Sequence, residues 1–83
     1  MYSIEVKKSA GKELLQIPTN STQKIIEAIN GLAENPRRQG VKKLKGEEAY
    51  RIRSGDYKIV YTIKDVIKIV EVQRIRHRKD VYR

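Results

Sequence analysis

Two alternating stretches that meet at a turn constrain the fold more than anything else in this chain. Tyr50 and Ile52 alternate with Arg51 and Arg53, Ser54-Gly55-Asp56 supplies turn residues, and Tyr57, Ile59, Tyr61 and Ile63 then alternate with Lys58, Val60 and Thr62. A period of two sends alternate side chains to opposite faces of a pleated sheet, so the segment predicts a β-hairpin with an apolar inner face and a basic outer one. Lys64-Asp65 predicts a second tight connection into Val66 to Val72, which is apolar apart from Lys68 and Glu71, as in a strand covered on both faces. Near the start, Tyr2, Ile4 and Val6 alternate with Ser3, Glu5 and Lys7 and predict one more strand.

Helical spacing fills the gap between that first strand and the hairpin. Ser9 is placed to cap a short helix whose Ala10, Leu14, Leu15 and Ile17 share a face, with Pro18 closing it. Asn20, followed three residues later by Gln23, has the form of a capping box, and Ile25, Ile26, Ile29, Leu32 and Ala33 then line one side of a second helix that Asn35-Pro36 ends. From Asn35 to Gly46 the chain reads as a loop, and Arg74 to Arg83 as a basic tail. The order β-α-α-β-β-β plus tail predicts the α+β class, an antiparallel sheet with two helices grouped on one side, in a single domain over residues 1–83.

The charge is distributed unevenly along this plan. Up to Glu34 the chain carries four basic and four acidic residues, so the whole net charge of +9 resides in the rest. Random charging for solubility would not spare one part and load the other, and the asymmetry points to a polyanionic partner met by the C-terminal part. Arg37, Arg38, Lys42, Lys43 and Lys45 lie in a loop without acids and are expected to grip RNA backbone. Arg51 and Arg53 share a strand face, and pairing in the hairpin places Lys58 beside them, so three cations converge on a patch the size of a phosphate. The alternative is a solvated sheet face whose long cations keep an edge soluble. His77, Arg78 and Tyr82 add an imidazole, a guanidinium and a phenol, groups that serve phosphoryl chemistry without metal.

Several classes of chemistry find no support. There is no cysteine and a single histidine, so neither a thiol nucleophile nor a cysteine or all-histidine zinc site is expected. Asp56, Asp65 and Asp80 are scattered, and the five glycines form no phosphate-cradling loop, so no metal and no cofactor are expected. Charge within Tyr2 to Lys8 occupies the place of a signal peptide's apolar region, and no apolar run approaches the roughly 20 residues of a membrane helix, so a cytoplasmic protein without a membrane partner is expected.

Three blocks, Lys43-Leu44-Lys45-Gly46, Tyr50-Arg51-Ile52-Arg53-Ser54-Gly55-Asp56-Tyr57-Lys58-Ile59-Val60-Tyr61 and His77-Arg78-Lys79-Asp80-Val81-Tyr82, together resemble the RelE/ParE superfamily of toxin–antitoxin toxins, on the RelE side. The resemblance implies a microbial-RNase-like fold and a ribosome-dependent mRNA endonuclease that inhibits translation. It also implies a cognate acidic antitoxin, and operator DNA bound only through the antitoxin complex. Carried over by position, Arg51 and Arg53 stand where such toxins present basic residues to the scissile phosphate, and Lys58 where an arginine stabilises the pentavalent phosphate. Arg78 stands for the arginine near the C-terminus, with Arg76 as the alternative register and otherwise an RNA contact, and Tyr82 for the C-terminal tyrosine. Arginine is a poor general base, so His77 and Tyr82 are left as candidates for proton transfer. The rival readings are a ParE-like inhibitor that binds a topoisomerase and cuts nothing, and an RNA-binding module without activity.

Overall fold

The computed structural model describes residues 1–79. Along the chain come β1 (Ser3–Val6), α1 (Lys8–Leu15), α2 (Thr19–Glu34), β2 (Lys42–Lys43), β3 (Tyr50–Ser54), β4 (Tyr57–Lys64) and β5 (Ile69–His77). The α+β class and the two N-terminal helices agree with the sequence reading. The five strands form one sheet in the order β1-β5-β4-β3-β2.

The β3–β4 hairpin forms as the alternation requires. Ser54 pairs with Tyr57, leaving Gly55-Asp56 as a two-residue loop. Gly55 there has φ +59°, the left-handed conformation that a primed hairpin turn demands and that glycine adopts without a Cβ penalty. Ile52, Ile59 and Tyr61 are buried and join Ala10 of α1 and Ile25, Ile29 and Leu32 of α2 in one core, so both helices lie on the same face of the sheet. Tyr61 is completely buried, and its hydroxyl donates to the Pro36 carbonyl at 2.6 Å, which ties the end of α2 to the centre of the sheet. Tyr57 is only partly buried but packs against this core.

Four expectations are corrected. The sheet is mixed rather than antiparallel, because β1 runs parallel to β5, with Ser3 opposite Ile69 and Val6 opposite Val72. Strand direction depends on where the helical pair delivers the chain, which no local pattern encodes. The segment from Asn35 to Gly46 is not all loop, since Lys42–Lys43 joins the edge of β3 and the Leu44 N–H donates to the Ala49 carbonyl at 2.8 Å. Two lysines have no strand propensity of their own, and the unpaired edge of β3 recruits them.

The third correction concerns the last strand, which begins at Ile69 rather than Val66 and continues to His77 rather than ending at Val72. Lys64 pairs with Ile69, so Asp65 to Lys68 form the loop, with Lys68 at φ 58° and Val66 96% exposed. Hydrophobicity alone cannot start this strand, because Arg37 and Tyr2 hold Asp65 in the turn. At the other end the eight residues of β4 provide partners that draw Arg74 to His77 out of the expected tail. Val60 pairs with Arg74 but Tyr61 with Val72, so Gln73 is an extra, bulged residue. That bulge is why Val72 and Ile75, three residues apart, are both buried.

Finally, neither expected helix cap forms. α1 is entered from Lys7 and α2 from Pro18, both without a side-chain cap, so Ser9 and Asn20 lie inside the helices. Thr22 Oγ1 instead donates to the Ile17 and Pro18 carbonyls where α2 begins. On α1, Leu15 is 85% exposed, leaving Ala10 and Leu14 as the inward residues of that helix. α2 does end at Asn35, extended at φ −150° before Pro36.

Candidate nucleic-acid interface

Strand register assembles the basic face in two rows. Arg53 of β3, Lys58 of β4 and Arg76 of β5 stand opposite one another across three strands. One pleat further on, Lys42, Arg51, Val60 and Arg74 form a second row across four. These residues alternate with the inward set, so both rows occupy the face away from the helices. Val60 is completely buried there although it belongs to no helix-facing cluster. Arg51 and Arg74 flank it, and the aliphatic stems of such long cations cover apolar surface while their heads stay wet. Val60 is therefore an apolar spot beneath a cationic layer.

Like charges placed directly opposite each other repel, and the two halves of the face answer this differently. Among the described residues, Arg51, Arg53 and Lys58 make no ion pair, whereas both β5 arginines do. Arg74 meets Glu47 at 3.6 Å, and Arg76 meets Glu13 of α1. The three cations placed together from the sequence, with Lys42 beside Arg51, thus have no acidic partner among the described residues, which favours the phosphate-patch reading over a solvated edge. Arg74, Glu13 and Glu47 were not singled out in the sequence. A signal for Glu13 existed: with Ala10, Leu14 and Ile17 it completes the i, i+3, i+4, i+7 face of α1, a core-facing slot where a carboxylate needs partners.

The other candidates fall elsewhere. His77 pairs with Tyr57, on the opposite parity from Arg76 and Lys58, and its ring meets that of Tyr57 edge-on at 5.1 Å. The two rings, with Glu13, Gln16, Ile17, Ile75 and Arg76, line an open cleft of about 350 Å³ between α1 and β5. His77 Nδ1 accepts the Lys79 N–H at 3.2 Å. Arg78 sits at the hairpin turn, where its N–H donates to the Asp56 carbonyl at 2.8 Å and its guanidinium stands 3.8 Å from the Asp56 carboxylate. The register therefore makes Arg76, not Arg78, the third member of the Arg53–Lys58 row. Tyr82 lies outside the described residues. Among the described residues no three His, Cys, Asp or Glu side chains gather as a metal site.

The loop cations also divide. Arg37 is not offered to solvent as a free charge: both of its terminal nitrogens reach the Asp65 carboxylate at 2.9 Å, and its guanidinium lies 5.5 Å from the Tyr50 ring centre. The Arg37 bonds, joined by that of the Tyr2 hydroxyl, hold Asp65 well below the usual carboxylate range and raise Arg37 in turn. Arg38 packs over Gly31 of α2, in space that a Cβ there would occupy. Lys43 stands 3.6 Å from Glu48, while Lys42 and Lys45 are exposed and make no salt bridge among the described residues. Burial pushes the Tyr61 phenol above its ordinary value, so it serves as a neutral donor to Pro36.

Comparison with known proteins agrees with this architecture. The chain is 32% identical to toxin RelG of Mycobacterium tuberculosis over 99% of its length and 97% of that protein. The isolated RelE toxin of Escherichia coli superposes with a TM-score of 0.82 at 25% identity, covering 99% of this chain and 92% of that one. The archaeal RelE–RelB complex from Pyrococcus horikoshii contains a chain that matches equally well, at 0.82 and 26% identity over 93% and 94% of the two chains. Residues 4–82 fit the family described as the ParE toxin of the type II toxin–antitoxin system parDE. Likeness that runs in sequence and in fold through nearly the whole length is membership, and this chain belongs to the RelE/ParE family of type II toxin–antitoxin toxins.

Proposed function

We propose that the protein is a ribosome-dependent endoribonuclease that inhibits translation by cutting mRNA without a metal ion or cofactor. The observation that carries this reading is the Arg53–Lys58–Arg76 row beside Arg51, in which the β3 and β4 cations have no acidic partner among the described residues. A protein-binding inhibitor has no need of cations converging on one phosphate. In the reaction, the 2′-oxygen of the substrate attacks its own 3′-phosphorus and loses its proton, and the bond from phosphorus to the 5′-oxygen breaks. The products are a 2′,3′-cyclic phosphate and a 5′-hydroxyl. Arg51, Arg53, Lys58 and Arg76 offset the charge that grows on the phosphoryl oxygens, a role worth about 2.7–4 kcal/mol for a well-placed donor. His77 and Tyr82 remain the candidates for moving the proton. The ribosome supplies orientation, which suits a site with weak acid–base groups.

Lys42, Lys43 and Lys45, with Arg38, hold ribosomal or messenger RNA backbone, while Arg37 braces the loop that presents them. A cognate acidic antitoxin neutralises the protein by covering the basic face; support for such a partner is that similar chains have been solved as RelE–RelB complexes. DNA of the operator is met only through that complex. Its place of action is the cytoplasm, and no helix among the described residues is long and apolar enough to cross a membrane. The match to a ParE family favours one alternative, binding to a topoisomerase without cleavage. Expression of the chain alone in a bacterium separates the two. New 5′-hydroxyl ends inside translated regions support the nuclease, and intact transcripts beside damaged or relaxed DNA support the inhibitor.

A further inference from the structure

Glu13 occupies an unusual place at the free edge of β5. The pairing of β1 with β5 stops at Val6 and Val72, and the Lys7 N–H to the Val72 carbonyl at 2.9 Å is its last link. Beyond it no strand among the described residues lies beside the β5 edge, and α1 passes there instead. Glu13 Oε1 accepts the Ile75 N–H at 3.0 Å, satisfying a donor that the missing strand leaves open. Its other oxygen, Oε2, pairs with Nη1 of Arg76. A neutral amide oxygen would have served the backbone donor, so the charge is matched to Arg76 alone.

We propose that Glu13 is a positioning residue that fixes the Arg76 guanidinium at the β5 edge, at the end of the Arg53–Lys58 row, and aims it at the scissile phosphate. The inference rests on the ribonuclease reading and assigns one more residue to it. Arg76 stands directly opposite Lys58, with Arg53 next in line, and repulsion alone would drive its head away from the row. Glu13 stands on the far side of Arg76 from Lys58 and draws the head the same way, so what it adds is a fixed point at the β5 edge that restricts a side chain otherwise rich in rotamers. Among the described residues the guanidinium's contacts, to Glu13 and to the Ile75 carbonyl, both use Nη1. The planar fork therefore keeps its remaining nitrogens for a phosphate, an arrangement a lysine could not reproduce.

The test is single-turnover cleavage on programmed ribosomes saturated with the full chain, together with the NMR signal of the Arg76 Nε–H recorded without RNA. Glu13→Gln retains an acceptor for the Ile75 N–H but loses the charge. We expect it to average the Arg76 signal and to slow cleavage by ~100-fold, the scale of a misplaced catalytic group. Arg76→Ala is expected to be at least as slow, and the double variant no slower than Arg76→Ala. Glu13→Asp keeps the charge on a shorter arm and falls between; it also carries the test should the glutamine variant fail to fold. A rate unchanged or raised by Glu13→Gln, or a double variant slower by the product of the two single effects, overturns the proposal. If the parent chain cuts nothing while Glu13→Gln still releases the Arg76 signal, the ribonuclease reading fails and the clamp stands. If the parent cuts and neither signal nor rate responds, the clamp alone is wrong.

Discussion

The two ends of the sheet carry similar cations in opposite circumstances. At the end where β4 turns into β5, Arg37 forks onto Asp65 at 2.9 Å with Tyr2 completing the carboxylate's bonds. At the other end, Arg51, Arg53 and Lys58 share a face with no acid against them among the described residues. The same residue type thus closes a loop in one place and remains available to a ligand in the other. Counting basic residues does not find a site. Asking which of them the fold leaves without a partner does.

The comparison is most exposed at its catalytic end. Arg53→Ala and Lys58→Ala should each lower single-turnover cleavage by about 10²–10³-fold, as for loss of a transition-state donor. Their urea midpoints should stay near that of the parent, since no ion pair among the described residues is broken. Cleavage at the parental rate would return these residues to the role of a solvated face. Next in size is the effect on ribosome binding of neutralising Lys42, Lys43 and Lys45 together. The slope of log affinity against log salt should flatten by about 2, given roughly 0.7 per phosphate contact on a single strand, while the rate at saturation holds. A fall in the saturated rate with affinity unchanged would move these lysines into the chemistry.

The structural end makes smaller claims. Tyr61→Phe should destabilise the fold by about 1–3 kcal/mol in urea titration, because it leaves the buried Pro36 carbonyl without its donor. Burial raises the Tyr61 phenol in the folded state, so its contribution is complete below the unfolded value near 10 and is lost as pH rises above it. The parent should therefore weaken in alkali more steeply than Tyr61→Phe. Asp65 runs the other way. Arg37 depresses its folded value, so its stabilisation is present above the unfolded carboxylate value near 3.9 and is lost as pH falls toward the folded one. Asp65→Asn should be less stable than the parent at neutral pH and converge with it in acid, with cleavage unaffected throughout. A difference that persists in strong acid would show that Asp65 acts through shape and not charge.

Much of the candidate site was legible because alternation is a backbone property. Once Gly55-Asp56 turns the chain, the pleat leaves Arg51, Arg53 and Lys58 no other face, and the resemblance of this block to RelE-type toxins points the same way. The β5 half was harder to read. Arg74 and Arg76 look like tail because charge interrupts the apolar run, and they become strand only when β4 is there to pair with. The Gln73 bulge then turns both of them outward. Glu13 and Glu47 come from elements remote in sequence, and nothing local says that they will meet those arginines.

The sequence by itself determined the elements whose information is short in range: the hairpin and its turn, the end of α2 at Asn35-Pro36 and its inward Ile25, Ile29 and Leu32, though not Ile26, which is 41% exposed, and the unbalanced charge of the C-terminal part. Only the tertiary structure decided the rest. It set β1 parallel to β5, recruited Lys42–Lys43 to an edge, and gave each charge on the last strand a partner or none. The reason is the range of the forces. Periodicity and turn chemistry act over a few residues, whereas unpaired edges and desolvated charges find their partners across the folded chain.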